Sequence, residues 1–340
     1  MKHLFTLLLA LSIVTGLLAQ DDIANSLMQD QKPKKEYIAY TFKTTRVISG
    51  HSVETVKKGA LDFRISHRFG DIASGPNDNV HSMFGFDQAA DILFAFEYGI
   101  TDDLTVGIGR AKGAGPVHEL WNANIKYRVL KQTKDFKYPM TITLFGNTSV
   151  TSMRNGGDPA AVDYFPKGGG YKNFAHRMSY TLQALMAVKA NKWLSLQLSP
   201  TFVWRNVVPY GDKNGMFFLG LSGRAKFNQR IGFIFEYYLP IMKPGVGGRE
   251  YFPMVRGIKN ASYYPAVNLG LEFETGGHVF HVNFTNTRGM LEQDFLPYNT
   301  ANWLQGAFRL GFTISRTFQL DHKGGKYWKK GSVEDTNDKK

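Results

Sequence analysis

Apolar and polar residues alternate along many segments of this chain. In WNANIKYRVL, residues 121–130, every second residue is apolar and the residues between them are Asn122, Asn124, Lys126 and Arg128. Successive side chains of a β-strand point to opposite faces, so this period of two predicts a strand with one apolar and one hydrated face.

Twelve segments share this pattern and are predicted to be strands. One of them, HRMSYTLQALMAVK, also has apolar residues at helical spacing, but its even positions from Met178 to Val188 are all apolar, which favours a strand. The predicted strands are 59–69, 89–100, 103–110, 119–130, 140–150, 176–189, 193–204, 217–227, 230–239, 264–273, 277–287 and 308–318.

The connections between these segments differ in length in a regular way. Long connections alternate with tight ones, and only 111–118 and 131–139 are intermediate. Short turns at one end and long loops at the other are typical of up-and-down barrels in outer membranes. An even number of strands also places both chain ends on the periplasmic side.

The apolar face is predicted to contact lipid. A closed barrel pairs every backbone group within the protein, as a hydrocarbon environment requires. A soluble barrel or sandwich would show the same alternation with the faces reversed, but it does not explain the alternating loop lengths. We therefore predict an all-β fold: an up-and-down antiparallel transmembrane β-barrel of twelve strands, with fourteen as the alternative, located in the outer membrane.

The two ends of the chain differ from this pattern. Residues 1–19, with a basic start and an apolar run to Leu18, are typical of a signal peptide. The predicted barrel covers 59–320, and a polar tail covers 321–340. Residues 20–58 form an N-terminal periplasmic or plug segment, in which YIAYTFKTTRVISGHSVETV predicts two short strands around Ser49 and Gly50. The sequence leaves open whether this segment plugs the lumen, lies under it or extends the wall.

Composition narrows the chemistry. The chain has no Cys, which excludes disulfides and thiolate metal sites. The formal charge of +13 fits a solvated basic periplasmic end, or a preference for anions or acidic headgroups. No nucleic-acid motif accompanies this charge, so no nucleic-acid partner is expected.

The polar faces of the predicted strands supply the candidate pore-lining residues. They carry both signs of charge, which suits either a selectivity surface or a salt-bridged filling. Barrels of eight strands have a filled interior and barrels of sixteen strands have an open channel, so a barrel of twelve strands lies between the two. A porin-like channel or passive transporter for small polar or anionic solutes is the first hypothesis, and a non-conducting scaffold that binds a periplasmic or surface partner is the second. The candidates are Asp62, Arg64, Arg68, Asn122, Asn124, Lys126, Arg128, Arg224, Lys226, Glu236, Glu272, Glu274 and Arg309.

Catalytic patterns are weak. The nine His residues are scattered, and no HExxH, GxSxG or paired-carboxylate motif occurs. We predict no enzyme, no metal and no cofactor; a surface hydrolase is a third hypothesis that would require His to meet Ser, Asp or Glu at the rim.

Three blocks carry a family resemblance: EYIAYTFKTTRVISGHSVETVKKGALDFRISHRFGDI, FGFDQAADILFAFEYGITDDLTVGIGR and IKYRVLKQ. They resemble an uncharacterised family of exported Gram-negative β-barrel proteins, a domain of unknown function. The resemblance implies a barrel over nearly the whole mature chain, places 36–58 within the domain, and supplies no catalytic or ligand residues.

Expected partners are outer-membrane lipid, the barrel-assembly machinery that reads a terminal aromatic such as Phe318, and a periplasmic protein bound through residues 21–58 or the tail.

Overall fold

The computed structural model describes residues 35–72, 80–113, 117–154, 171–208, 213–241 and 263–320. The predicted signal peptide and the polar tail after Leu320 lie outside the described residues, as do residues 20–34 of the predicted N-terminal segment.

Twelve antiparallel strands form one closed barrel in which each strand pairs with its neighbours in sequence and β1 pairs with β12. The predicted up-and-down barrel of twelve strands is therefore confirmed. The strands are β1 Ala60–Asp71, β2 Ala89–Gly99, β3 Leu104–Ala111, β4 Leu120–Leu130, β5 Thr141–Thr151, β6 Met178–Lys189, β7 Leu194–Arg205, β8 Gly215–Lys226, β9 Ile231–Pro240, β10 Ala266–Thr275, β11 His278–Thr285 and β12 Arg309–Gln319.

Exposure alternates along the strands as the sequence pattern predicts. In β4, Lys126 is 0% exposed, whereas its neighbours Ile125 and Tyr127 are 50% and 53% exposed. The apolar side chains are thus on the outside of the barrel, the reverse of a soluble protein, and closure leaves no strand edge unpaired.

The two ends of the barrel are different. Five connections lie at one end, here called the short-turn end, where β1 begins and β12 finishes. Four of them (β2–β3, β6–β7, β8–β9 and β10–β11) are turns of two to four residues, and β4–β5 covers residues 131–140. Asparagine side chains form two of these turns: the Oδ1 of Asn191 accepts from the backbone N–H of Leu194 at 2.9 Å, and Asn228 bonds Ile231 in the same way. The other end is called the long-loop end.

Among the described residues, helical structure lies in the connections between strands. An α-helical turn covers Glu292–Phe295, and 3-10 turns cover Met83–Gly85, Phe174–Arg177 and Trp303–Gln305. Among the described residues, no helix has the length and hydrophobicity needed to cross a membrane.

The prediction of two short strands around Ser49 and Gly50 is wrong. The turn is present, since Val47 donates to the carbonyl of Gly50 at 3.0 Å and Ser52 donates to the carbonyl of Thr45 at 2.9 Å, but these bonds form only the isolated bridge between Arg46 and His51. Beyond this bridge, backbone groups of the segment bond to side chains of the barrel wall and do not extend the ladder of a hairpin.

Candidate functional site

All thirteen candidate pore-lining residues lie on inward-facing strand positions. Ten are buried: Asp62, Arg64, Arg68, Asn122, Asn124, Lys126, Arg224, Glu236, Glu272 and Arg309. The other three, Arg128, Lys226 and Glu274, are partly exposed at the short-turn end. Of the four residues predicted to face a hydrated lumen in β4, Asn122, Asn124 and Lys126 are buried, and Arg128 is partly exposed. Other parts of the chain occupy space inside the wall beside Lys126.

Several candidates form ion pairs with one another or with their neighbours. Arg224 donates to Glu272 at 2.6 Å, and the other oxygen of Glu272 lies 3.3 Å from the Nε2 of His281. Asp62 lies 3.7 Å from Arg64, and Arg309 pairs with Asp71. These pairs neutralise charges within one strand, between neighbouring strands and across β9, so much of the mixed-sign lumen face balances its own charge.

The N-terminal insert, residues 41–56, occupies the barrel interior. Every residue in it is buried except Lys43 and Thr55, which are intermediate. The insert enters beside the β4–β5 turn, where Ile38 donates to the carbonyl of Gln132 at 2.9 Å. It leaves at the same end, where the backbone N–H of Lys58 donates to Asp102. The insert therefore folds into the barrel from the short-turn end and returns to the same end, without passing through the barrel.

Lys126 of β4 holds the two arms of the insert together. Its ammonium group donates to the carbonyls of Thr45 at 2.6 Å, Ser52 at 3.3 Å and Glu54 at 3.3 Å. An ammonium has three donors, so these three contacts satisfy it completely. A buried cation thus adds to the two backbone bonds that join the arms of the insert.

Glu236 of β9 binds the tip of the insert. Its carboxylate accepts from the backbone N–H groups of Ile48 at 2.8 Å, Ser49 at 3.0 Å and Gly50 at 3.0 Å. Gly50 lies so close to the wall that a Cβ there would fall 1.8 Å from the hydroxyl of Tyr238. The tip therefore requires glycine because of close approach to the wall.

Further bonds connect the returning arm to β5 and β7. Gln197 accepts from the N–H of Val53 at 2.9 Å and donates to the carbonyl of His51 at 2.8 Å. Thr143 donates to the carbonyl of Val53 at 2.7 Å. Polar wall residues thus satisfy the buried backbone of the insert on several sides of the barrel.

An apolar cluster lies between the insert and the wall. Inward-facing Phe145, Leu185 and Ile234 pack against the insert, and the insert residues in the cluster are Phe42, Val47, Ile48 and Val53. This dry contact was not predicted, because a lumen face was expected to be polar throughout. It adds hydrophobic stabilisation to the hydrogen bonds described above.

A second segment, here called the loop insert (residues 287–296), enters from the long-loop end. Arg68 donates to the Thr287 hydroxyl at 2.6 Å and also to the carbonyl of Gly289. Gln293 accepts from Asn147 at 3.1 Å and from Thr181 at 3.0 Å. The helical turn of this segment is therefore fixed to β1, β5 and β6.

Apolar packing also holds the loop insert. Phe295 and Leu296 join a buried cluster with Val203, Phe218 and Tyr238 on the wall. The rings of Phe295 and Tyr238 meet edge to face, with centroids 5.6 Å apart.

The two inserts meet inside the barrel around His51. The ring nitrogens of His51 lie 3.7 Å from Glu97 of β2 and 3.9 Å from Glu292 of the loop insert. The ring also packs on Phe145, with centroids 3.9 Å apart, and Arg46 donates to the carbonyl of Met290 at 3.4 Å. Charged groups from the wall and from both inserts thus share one buried cluster.

The short-turn mouth beside the N-terminal insert is basic. Lys43 pairs with Glu274 at 2.8 Å, and Arg128 pairs with Asp103 at 2.8 Å. Partial burial, together with the nearby positive charge of Arg128, lowers the pKa of Lys131 in the β4–β5 connection. Positive charge is therefore crowded where the insert enters the barrel.

The interior does not present an accessible catalytic arrangement in the described residues. His51 and His281 both contact carboxylates, but each is about 0–1% exposed and lies within the filling rather than at the rim. Among the described residues, no group of three or more His, Asp or Glu side chains is arranged to hold a metal ion.

Sequence reasoning missed several residues that hold the filling, above all Glu97, Thr143, Gln197, His51 and Glu292. Glu97 is the polar inward residue of FAFEYG, so the alternation of β2 contained a usable signal. The roles of His51 and Glu292 depend on where two non-strand segments fold, and no local pattern in the sequence specifies that.

Comparison with known proteins supports the architecture. A family model described as a membrane bound β-barrel domain, DUF5777, matches residues 42–318. No curated protein matches the chain significantly.

Three solved structures illustrate the likeness to outer-membrane barrels. The NanC porin is 10% identical, with 76% of this chain and 100% of that chain covered and a TM-score of 0.40. The KdgM porin is 8% identical, with 77% and 99% covered and a TM-score of 0.40. The COG4313 outer membrane channel from Pseudomonas putida F1 is 12% identical, with 78% and 98% covered and a TM-score of 0.43. Similarity at this level carries no argument about solute or mechanism.

Proposed function

Because the chain belongs to this membrane-bound β-barrel family, we propose that it is a passive outer-membrane channel for small polar or anionic solutes, closed by its N-terminal insert. One observation carries the proposal: the segment filling the lumen is separate from the wall and held mainly by wall side chains. The wall ladder is complete without it, so the insert can move while the barrel remains closed on itself.

The charges of the wall suggest which solutes would pass. Movement of the insert would leave Lys126 without its three carbonyl partners, and it would remove Ser49, which accepts a hydrogen bond from Arg68. The mouth at the same end is basic. A path opened on this side of the barrel would therefore favour anions.

Planar-bilayer conductance of the full chain tests the channel. The wild-type protein should be closed most of the time, and Lys126→Met together with Glu236→Gln should raise its open fraction. Glu236→Gln alone, which keeps the Lys126 charge, should also raise the open fraction and give currents that favour anions. The channel proposal would be contradicted if the insert became accessible to protease in these variants and the barrel still conducted no ions.

The alternative is a non-conducting scaffold that binds a periplasmic or surface partner. It is favoured by the burial of nearly the whole insert and by its contacts with many strands. A scaffold would stay silent in the bilayer whether the insert is fixed or released, so the same recordings distinguish the two functions. Recovery of no periplasmic or surface partner by the full chain would count against the scaffold.

A further inference from the structure

Charge is rare on the outward face of the strands. Among the outward-facing strand positions whose side chains the structure describes, Arg110 of β3 and Arg316 of β12 are the two that carry a permanent charge. A charged residue on the lipid face is unfavourable at mid-membrane and tolerated near the interfaces. The depth and surroundings of each arginine therefore bear on its role.

Arg316 lies near the short-turn end. It pairs in register with His278, the first residue of β11, directly after the tight turn at Gly276 and Gly277. It is three residues before Gln319, the last residue of β12. At about 3.3 Å per residue and a tilt near 45°, this is roughly 7 Å along the membrane normal. The guanidinium is thus within reach of the lipid headgroups of that leaflet.

Arg316 and His278 form a pair on the lipid-facing surface. The Nη1 of Arg316 lies 3.2 Å from the Nε2 of His278. A guanidinium only donates, so Nε2 accepts and the neutral imidazole carries its proton on Nδ1. The pair therefore offers the remaining guanidinium N–H groups and one imidazole N–H to a ligand.

Aromatic rings flank this pair. The guanidinium lies 4.8 Å from the ring centroid of Phe318, and the imidazole stacks on Phe280 with centroids 5.9 Å apart. On the neighbouring strand β1, Phe63 lies directly opposite Arg316. Among the described residues, no carboxylate lies within ion-pair distance of Arg316. A cation without a neighbouring anion is thus set among apolar rings at headgroup depth.

Arg110 differs in each of these respects. It lies at the long-loop end, next to the end of β3, and donates to the carbonyl of Ala111 at 2.8 Å. Its guanidinium lies 5.2 Å from the ring centroid of Trp121, and no second nitrogen donor is paired with it in the described structure. The backbone of its own strand accepts one of the guanidinium N–H groups of Arg110. Within the described ranges, Arg110 also has no partner that corresponds to the His278 beside Arg316.

We propose that Arg316 and His278 bind the phosphodiester group of a phospholipid in the leaflet at the short-turn end. The planar guanidinium suits two oxygens of a phosphate, and the imidazole adds a further donor. The Phe63, Phe280 and Phe318 rings contact the first part of the acyl chains. This site is independent of whether the barrel conducts, since it lies on the outside of the wall.

Native mass spectrometry of the full chain in detergent tests the site. Phosphatidylglycerol is the probe, and a diacylglycerol with the same acyl chains is the probe without phosphate. The wild type should retain one phosphatidylglycerol more tightly than the diacylglycerol. Arg316→Gln should weaken this retention about ten-fold, because it removes charge-assisted hydrogen bonds. Phosphatidylglycerol retention by Arg316→Lys should lie between that of the wild type and that of Arg316→Gln.

Lys192→Gln is the matched control. Lys192 is in a turn at the same end of the barrel and lies 5.5 Å from the ring centroid of Trp193, so its replacement also removes one positive charge beside an aromatic ring. Retention should not change. If Arg316→Gln fails to fold, His278→Ala should still weaken retention, because it removes one donor and leaves the charge.

Three results would overturn the proposal. Equal weakening by Arg316→Gln and Lys192→Gln would show a general charge effect. Equal retention of the diacylglycerol would show that the acyl chains alone are bound. Displacement of the lipid by an equal concentration of inorganic phosphate would show a free-anion site instead of a lipid site.

Discussion

The two segments that fill the barrel are held in different ways. The N-terminal insert has no regular structure, and wall side chains such as Lys126, Glu236 and Gln197 satisfy its backbone. The loop insert contains a helical turn and adds apolar packing of Phe295 and Leu296 against the wall. Both segments also pack apolar side chains against the wall, so they differ in regular structure and in how their backbone groups are bonded.

The way each segment joins the barrel distinguishes the one that would move in the proposed channel. The N-terminal insert enters and leaves at the short-turn end, so it can withdraw in that direction without breaking the strand ladder. The loop insert is part of the connection between β11 and β12, and pairing of Thr285 with Arg309 fixes the two ends of that connection. Changes to the first segment should therefore affect conductance, and changes to the second should affect mainly the stability of the barrel.

The largest effect is expected from Lys126→Met. It removes the ammonium that bonds three insert carbonyls and leaves those acceptors buried, which should destabilise the inserted state by roughly 3–5 kcal/mol. Protease cleavage within the insert and the open fraction in bilayers should both rise. An insert that stays protected from protease would show that Lys126 does not hold it.

Gly50→Ala should have the next largest effect. The added Cβ would lie 1.8 Å from the hydroxyl of Tyr238, so the tip must move, at a cost of about 1–3 kcal/mol. Gly146→Ala is the matched control, because there the nearest atoms would be 3.5 Å and 3.7 Å from the added Cβ. Protease protection of the insert should fall in the first variant only; a similar loss in both would mean that both glycine replacements act through the general stability of the protein.

Phe295→Ala tests the other segment. Loss of this buried ring should lower the free energy of unfolding by about 3–5 kcal/mol. Denaturant unfolding in lipid vesicles, followed by Trp fluorescence, measures this loss. Conductance should stay close to that of the wild type. A large rise in conductance without a loss of stability would reverse the assignment of the moving segment.

The smallest effect is expected from Lys43→Gln at the mouth. The pair with Glu274 is 2.8 Å long, but its two side chains are 27% and 26% exposed, so it should contribute no more than about 1 kcal/mol. High salt should weaken this contribution further in the wild type. A variant that released the insert as fully as Lys126→Met would show that the mouth, and not the interior, holds it.

The barrel wall was predictable because its signal is local. Alternation of period two, together with turn residues such as Asn191 and Asn228, locates strands and short turns from adjacent residues alone. Odd- and even-numbered residues of a strand face opposite sides of the wall, so the alternation also predicts which side chains face inward. All thirteen candidate residues do so.

The filling was not predictable by the same reasoning. The bond between Ile48 and Glu236 joins residues 188 positions apart, and Gln293 bonds Asn147 across 146 positions. The pattern of the N-terminal segment predicts strands that do not form, because the wall side chains that bond the two segments are distant in sequence. Inward Phe145 and Leu185 also departed from the polar lumen face, and only the position of the N-terminal insert explains them.

The most direct test of closure by the N-terminal insert is a reversible crosslink between Ser49 and Asn268. The Nδ2 of Asn268 donates to the Ser49 hydroxyl at 3.2 Å, and the native chain has no Cys, so Ser49→Cys with Asn268→Cys introduces the only two thiols. The pair is placed in the Lys126→Met background and joined by a short cleavable bis-thiosulfonate. Bilayer current should be absent while the crosslink is intact and should appear after reduction. Equal current before and after reduction would contradict closure by the insert.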